Sequence, residues 1–132
     1  MRSDEQMTTT WIDPAAVQNA RAAALPEHEL ELAVTLFRLL GDPTRGRLLY
    51  ALHAAGELCV GDLAGVVGSQ ESAVSHALRL LRTAGIVSAR RAGRSMFYRL
   101  ADEHVADLLA LTHQHVDHTV AGALPAGGRA AG

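Results

Sequence analysis

The sequence predicts a mostly helical domain with a β-hairpin wing, a winged helix-turn-helix, and three observations lead there. Two short helical stretches are separated only by Gly68-Ser69, the length of a turn and not of a loop. After Gly85 the apolar period changes from helical to alternating. All 12 basic residues are arginines, and six of them (Arg79, Arg82, Arg90, Arg91, Arg94, Arg99) fall between Ser72 and Ala101, where there is no Asp or Glu.

The elements follow from their punctuation. Residues 1–12 read as an arm, after which Asp13-Pro14 offers an N-cap and a proline at the first helical position. An alanine-rich helix then runs to about Leu25, where Pro26 ends it, so residues 1–25 form an N-terminal arm and helix. A second helix, Glu27 to Leu40, puts Leu30, Val34, Phe37 and Leu40 on one stripe before Gly41. Asp42-Pro43 repeats the cap-and-proline start for a third helix, with Leu48, Leu49 and Leu52 apolar, to about Ala55 and Gly56. Two further helices span Val60 to Val67 and about Gln70 to Thr83. On the second of these, Ser72, Ser75, His76 and Arg79 share a polar face, and Ala73, Val74, Ala77 and Leu78 face inward. A hairpin follows, with Val87 and Ala89, a turn at Ala92-Gly93, then Met96, Tyr98 and Leu100 on one face. The last helix, about Asp102 to Val120, carries Val105, Leu108, Leu109, Thr112 and Val116 and closes the 26–120 domain. Residues 121–132, rich in glycine and alanine, read as a disordered tail.

Composition narrows the function classes. A chain of 132 residues has room for one small core and not for two catalytic domains. No run approaches the roughly 18 apolar residues of a membrane span, and the polar start with Arg2, Asp4 and Glu5 is no secretory signal. With a single cysteine, Cys59, the expected setting is the reducing cytoplasm, with no membrane partner. The net charge of −2 averages over the chain, whereas a binding face does not.

The basic segment therefore points to double-stranded DNA. The second helix of the pair can enter the major groove, with Ser72, Ser75, His76 and Arg79 toward base edges and phosphates, and Arg90, Arg91 and Arg94 flank the wing turn over the backbone. The competing reading is a solvated arginine face on ordinary helix packing. No aromatic platform competes for the patch, because Phe97 and Tyr98 alternate as strand residues do.

A second cluster lies near the C-terminus, where four of seven histidines (His104, His113, His115, His118) fall within 15 residues. Asp102, His104, His115 and His118 are N and O donors of the kind that suits Zn(II), Co(II) or Ni(II). His115 and His118 are i,i+3 neighbours and can chelate one ion. From His104 to His115 the axial rise is about 16.5 Å, whereas each donor must lie about 2 Å from the ion. One straight helix cannot close that site. Eleven steps of about 100° return to nearly the same face, so an antiparallel partner helix would bring its own late pair opposite this early pair. The donor set thus predicts a symmetric homodimer with two equivalent sites. His113 and Asp117 lie off that face and read as solvated or supporting groups, or as the extra donors an octahedral Ni(II) site needs. For each histidine alone, a solvated polar face is the competing reading.

The runs Glu57-Leu58-Cys59-Val60-Gly61-Asp62-Leu63-Ala64, Glu71-Ser72-Ala73-Val74-Ser75-His76 and Arg91-Ala92-Gly93-Arg94-Ser95-Met96-Phe97-Tyr98 resemble the ArsR/SmtB family of metal-sensing winged-helix repressors, over roughly Glu31 to Thr119. The resemblance implies a homodimer, operator DNA as partner and release of DNA when the inducer binds. Gln70 stands where many members have a Ser cap, and Ala77 where many have Gln, departures that bear on the base contacts. The Asp-x-His-x10-His-x2-His spacing resembles the C-terminal-helix site of the zinc- and cobalt-responsive members. In that family the first late histidine passes its other ring N–H to a backbone carbonyl near the end of the recognition helix, which implies His115 and Gly85 here. Cys59 and Asp62 resemble part of a second, thiolate-containing site, but the chain up to Leu25 has no Cys or His to complete it, and a buried structural cysteine is expected.

The sequence reading is thus a non-enzymatic, metal-responsive repressor. Two alternatives stay open: a winged-helix regulator that senses a non-metal signal, and a zinc-dependent enzyme, against which stands the absence of an HExxH-type motif.

Overall fold

The computed structural model describes residues 10–123, so most of the expected arm (residues 1–9) and most of the expected tail (124–132) lie outside the described residues. Two compact units divide between Thr35 and Leu36. In the first, Asp13 Oδ1 accepts the Ala16 N–H at 3.1 Å and Pro14 opens α1 (Pro14–Ala22). This helix stops three residues before the expected Leu25. Leu25 precedes Pro26, whose ring disfavours helical backbone at that position. The Arg21 guanidinium lies 5.5 Å from the Trp11 ring centroid. Helix α2 (Glu27–Leu40) has the expected bounds and places Glu27 and Glu29 in its first turn, where the helix dipole favours negative charge.

The second unit holds the core. Asp42 Oδ2 accepts the Arg45 N–H at 3.0 Å and Pro43 starts α3 (Pro43–Ala55), which Gly56 ends at φ +90°. A two-residue strand, β1 (Leu58–Cys59), leads into α4 (Val60–Val67). Gly68, left-handed at φ +71°, turns the chain into α5 (Glu71–Thr83). The wing is β2 (Val87–Ala92) and β3 (Ser95–Leu100), and α6 (Glu103–Ala123) closes the fold.

Leu48, Leu49 and Leu52 of α3, Leu63 of α4, and Val74, Leu78 and Leu81 of α5 are the fully buried side chains. Burying each stabilises by about 1.5–3 kcal/mol, so the helix pair and α3 are one packing unit. Ile86 and Val87 extend this core to the wing, and Leu109 extends it to α6. Ala73, expected to face inward, is exposed. Its position falls between the buried Val74-Ala77-Leu78-Leu81 stripe and the polar face.

The sheet order is β1-β3-β2, all antiparallel, with Leu58 opposite Tyr98, Cys59 opposite Phe97, and Arg90 also opposite Phe97. The short β1 was not foreseen from the sequence. Ala92 pairs with Ser95, so the two-residue turn is Gly93-Arg94, one residue later than expected. Gly93 has φ +62° and Arg94 does not have positive φ, the pattern of a type II′ turn with glycine first.

At the start of α6, Asp102 Oδ1 accepts the Val105 N–H at 3.1 Å. The helix continues to Ala123, three residues past the expected end. Leu109 is buried and Val105 half-buried, whereas Leu108, Leu111, Val116 and Val120 are exposed. The Tyr50 hydroxyl donates to the Leu109 carbonyl at 2.9 Å and ties α6 to α3. Among the described residues no helix is long and apolar enough to cross a membrane.

Candidate nucleic-acid interface and metal-ligand helix

Helix α5 separates its two faces cleanly. Val74, Ala77, Leu78 and Leu81 are buried, and this fixes the rotation of the helix. Ser72, His76 and Arg79 are thereby exposed and Ser75 half-buried, all four on the outward face at helical spacing. Arg91 and Arg94 are exposed at the wing tip, Arg94 within the turn itself. Among the described residues neither they nor Arg79 has an ion-pair partner.

Arg90 is engaged differently. Its Nε and Nη2 donate to the two carboxylate oxygens of Glu57 at 2.8 and 2.7 Å, and its Cζ lies 4.9 Å from the Phe97 ring centroid. These hydrogen bonds, together with the positive charges of Arg90 and Arg99, hold the Glu57 carboxyl below its usual range. Arg99 Nε donates to Ser88 Oγ at 3.3 Å across the hairpin. Glu57 carried no expected role, since only the pairing of β1 with β3 brings it beside the wing.

On α6 the four candidate ligands form two pairs. His104 Nδ1 lies 3.6 Å from Asp102 Oδ1, with the His104 side chain 95% and that of Asp102 52% exposed. His115 and His118 are exposed about three turns further along the helix. Among the described residues of one chain, no three His, Cys, Asp or Glu side chains come together as a metal site. His113 sits edge-on to Tyr50, ring centroids 6.2 Å apart, and with Asp117 lines a groove that also includes His53 and Asp107. Cys59 is a half-buried free thiol at the N-cap of α4, and Asp62 lies in that helix's first turn. Gly85, left-handed at φ +77°, closes α5 with its N–H donated to the Arg82 carbonyl at 3.0 Å.

Residues 42–89 match the model of the bacterial regulatory protein, arsR family. The chain is 37% identical over 107 residues to a cadmium resistance transcriptional regulatory protein CadC homolog of Staphylococcus aureus, covering 80% of this chain and 88% of that one. The chain belongs to the ArsR family. Another family member, the HTH-type transcriptional regulator NmtR of Mycobacterium tuberculosis, is 44% identical over 80% of this chain and 81% of its own length. The solution structure of a homodimeric winged helix-turn-helix DNA-binding domain from Mycobacterium bovis superposes with a TM-score of 0.67 at 29% identity, covering 74% of this chain and 93% of that one. Family and fold make this ArsR-family chain a transcriptional regulator and not an enzyme.

Proposed function

We propose that the chain is a metal-responsive repressor of the cytoplasm that binds an inverted repeat in double-stranded operator DNA as a homodimer. The supporting observation is the outward face of α5, where Ser72, Ser75, His76 and Arg79 stand opposite a buried stripe while Arg91 and Arg94 project from the wing. That pairing suits a helix in the major groove with a wing over the backbone. The exposed apolar residues Leu108, Leu111, Val116 and Val120 of α6 favour a second copy as the partner that covers them.

The inducer in this reading is Zn(II) or Co(II), with Ni(II) as the alternative that would recruit further donors such as His113 or Asp117. Asp102 and His104 of one chain would bind with the partner's His115 and the partner's His118. The exposed N and O donors fit such an ion, and their separation along α6 fits a site shared between copies. The bound ion would supply a charge and a fixed ligand geometry that only one arrangement of the dimer satisfies. Coupling to the reading helix is proposed through His115 and the Gly85 carbonyl at the end of α5.

Titration of duplex DNA from the chain's own promoter region, with and without Zn(II) or Co(II), tests this reading. Affinity should fall steeply with salt, and metal should lower it by about 1–3 kcal/mol or more, with DNA weakening metal binding reciprocally. Salt-insensitive binding overturns the DNA reading. A filled metal site that leaves operator affinity unchanged overturns the inducer.

A further inference from the structure

We propose that Glu57 is a positioning residue for the wing: its carboxylate holds Arg90 across the sheet, so that Arg90 sets the wing's orientation and the phosphate contacts are left to Arg91 and Arg94. The geometry is specific. Arg90 lies on β2, an outer strand, and Glu57 immediately precedes β1, the outer strand on the other side. Adjacent strands lie about 4.8 Å apart, so the side chain of Arg90 must cross the central strand β3 to reach Glu57.

It does so over Phe97, the residue directly opposite Arg90, with Cζ 4.9 Å from the ring centroid, and it ends in two parallel hydrogen bonds of 2.7 and 2.8 Å. Glu57 falls on the same sheet face by register, two residues before Cys59, which also opposes Phe97. The strap therefore spans all three strands and joins the hairpin to the segment that follows α3. The forked geometry needs an arginine, because lysine offers only a point charge. The Glu57 side chain, 29% exposed, is also the less accessible partner against 56% for Arg90. A surface ion pair adds little to global stability, so the expected effect is on wing orientation and not on melting.

The DNA arm of the test rests on the repressor reading; a second arm does not. In the full-length chain, Glu57→Gln and Arg90→Gln should each weaken binding to promoter-region duplex several-fold. The slope of log affinity against log salt should stay at its wild-type value, and the double variant should lose no more than either single one. Arg90→Lys should not rescue. Arg94→Ala, in the same assay, should flatten the slope. If Arg90→Gln flattens the slope by about one while Glu57→Gln tightens binding, Arg90 is a phosphate contact and the proposal fails. Without DNA, Glu57→Gln should speed amide hydrogen exchange across Val87–Leu100 a few-fold at unchanged melting temperature. Unaltered exchange there overturns the strap even if no duplex is bound, whereas faster exchange with no duplex binding upholds the strap and overturns the repressor reading.

Discussion

Asp102 has two tasks on one carboxylate: its Oδ1 takes the Val105 N–H at the start of α6, and it is the proposed anionic metal ligand. Asparagine caps a helix about as well as aspartate, so one substitution separates the tasks. Asp102→Asn should melt within about 0.5 kcal/mol of wild type, whereas Asp102→Ala should lose about 1 kcal/mol. Both should weaken Co(II) binding more than tenfold in an absorbance titration, since even the loss of a supporting group around a ligand costs about 10–100-fold. Glu57 gives a pH signature. Its carboxyl is held below the ordinary value of 4.5, so the folded state favours the ionised form. The resulting stabilisation is present above that value and is lost as pH falls through and below it. The gap in amide-exchange protection of Val87–Leu100 between wild type and Glu57→Gln should therefore close on acidification and stay constant between about pH 6 and 8. In the core, Leu78 is fully buried, and Leu78→Ala should cost about 2–5 kcal/mol of unfolding free energy.

At the scale of elements, the proposed backbone contacts of the wing tip tie affinity to salt dependence. Arg91→Ala and Arg94→Ala should each reduce the salt slope by about one and weaken binding to specific and unrelated duplexes alike. The helices of the reading unit were legible because their ends are written in local chemistry: Asp42-Pro43 at the start of α3, Gly56 at its end, and Gly68 between α4 and α5. The turn was misplaced by one residue because Ala92-Gly93 and Gly93-Arg94 satisfy the same composition, and only the cross-strand register tells them apart. Strand β1 has two residues and no period to read, so it exists only through its pairing with β3. That omission had a consequence for the site. Arg90 reads from the sequence as a DNA contact because it flanks the wing turn, while its carboxylate partner stands 33 positions earlier and becomes a neighbour only once β1 is in place. The ligand pairs of α6 were visible as helix positions, yet their proposed joining is between chains and is not a property of one chain's fold.

For the whole molecule, the proposed sharing of metal ligands between copies gives a countable outcome. A heterodimer of a His104→Ala chain with a His115→Ala chain has both lesions in one site if the ligands come from opposite chains, and it should bind about one Co(II) tightly. If each site were built within one chain, every site would carry a lesion and no tight binding would remain. A last consequence concerns copies that meet the wrong way. The order β1-β3-β2 leaves β2 as a six-residue sheet edge, with backbone groups available to a further strand. A second β2 laid parallel and in register along that edge would stack Arg90 and Arg91 against their own counterparts, and like charges set side by side are destabilising. The basic edge of the wing thus discourages fibre-like stacking of free wings, and replacing Arg91 with an apolar β-former should cost solubility before it costs the fold.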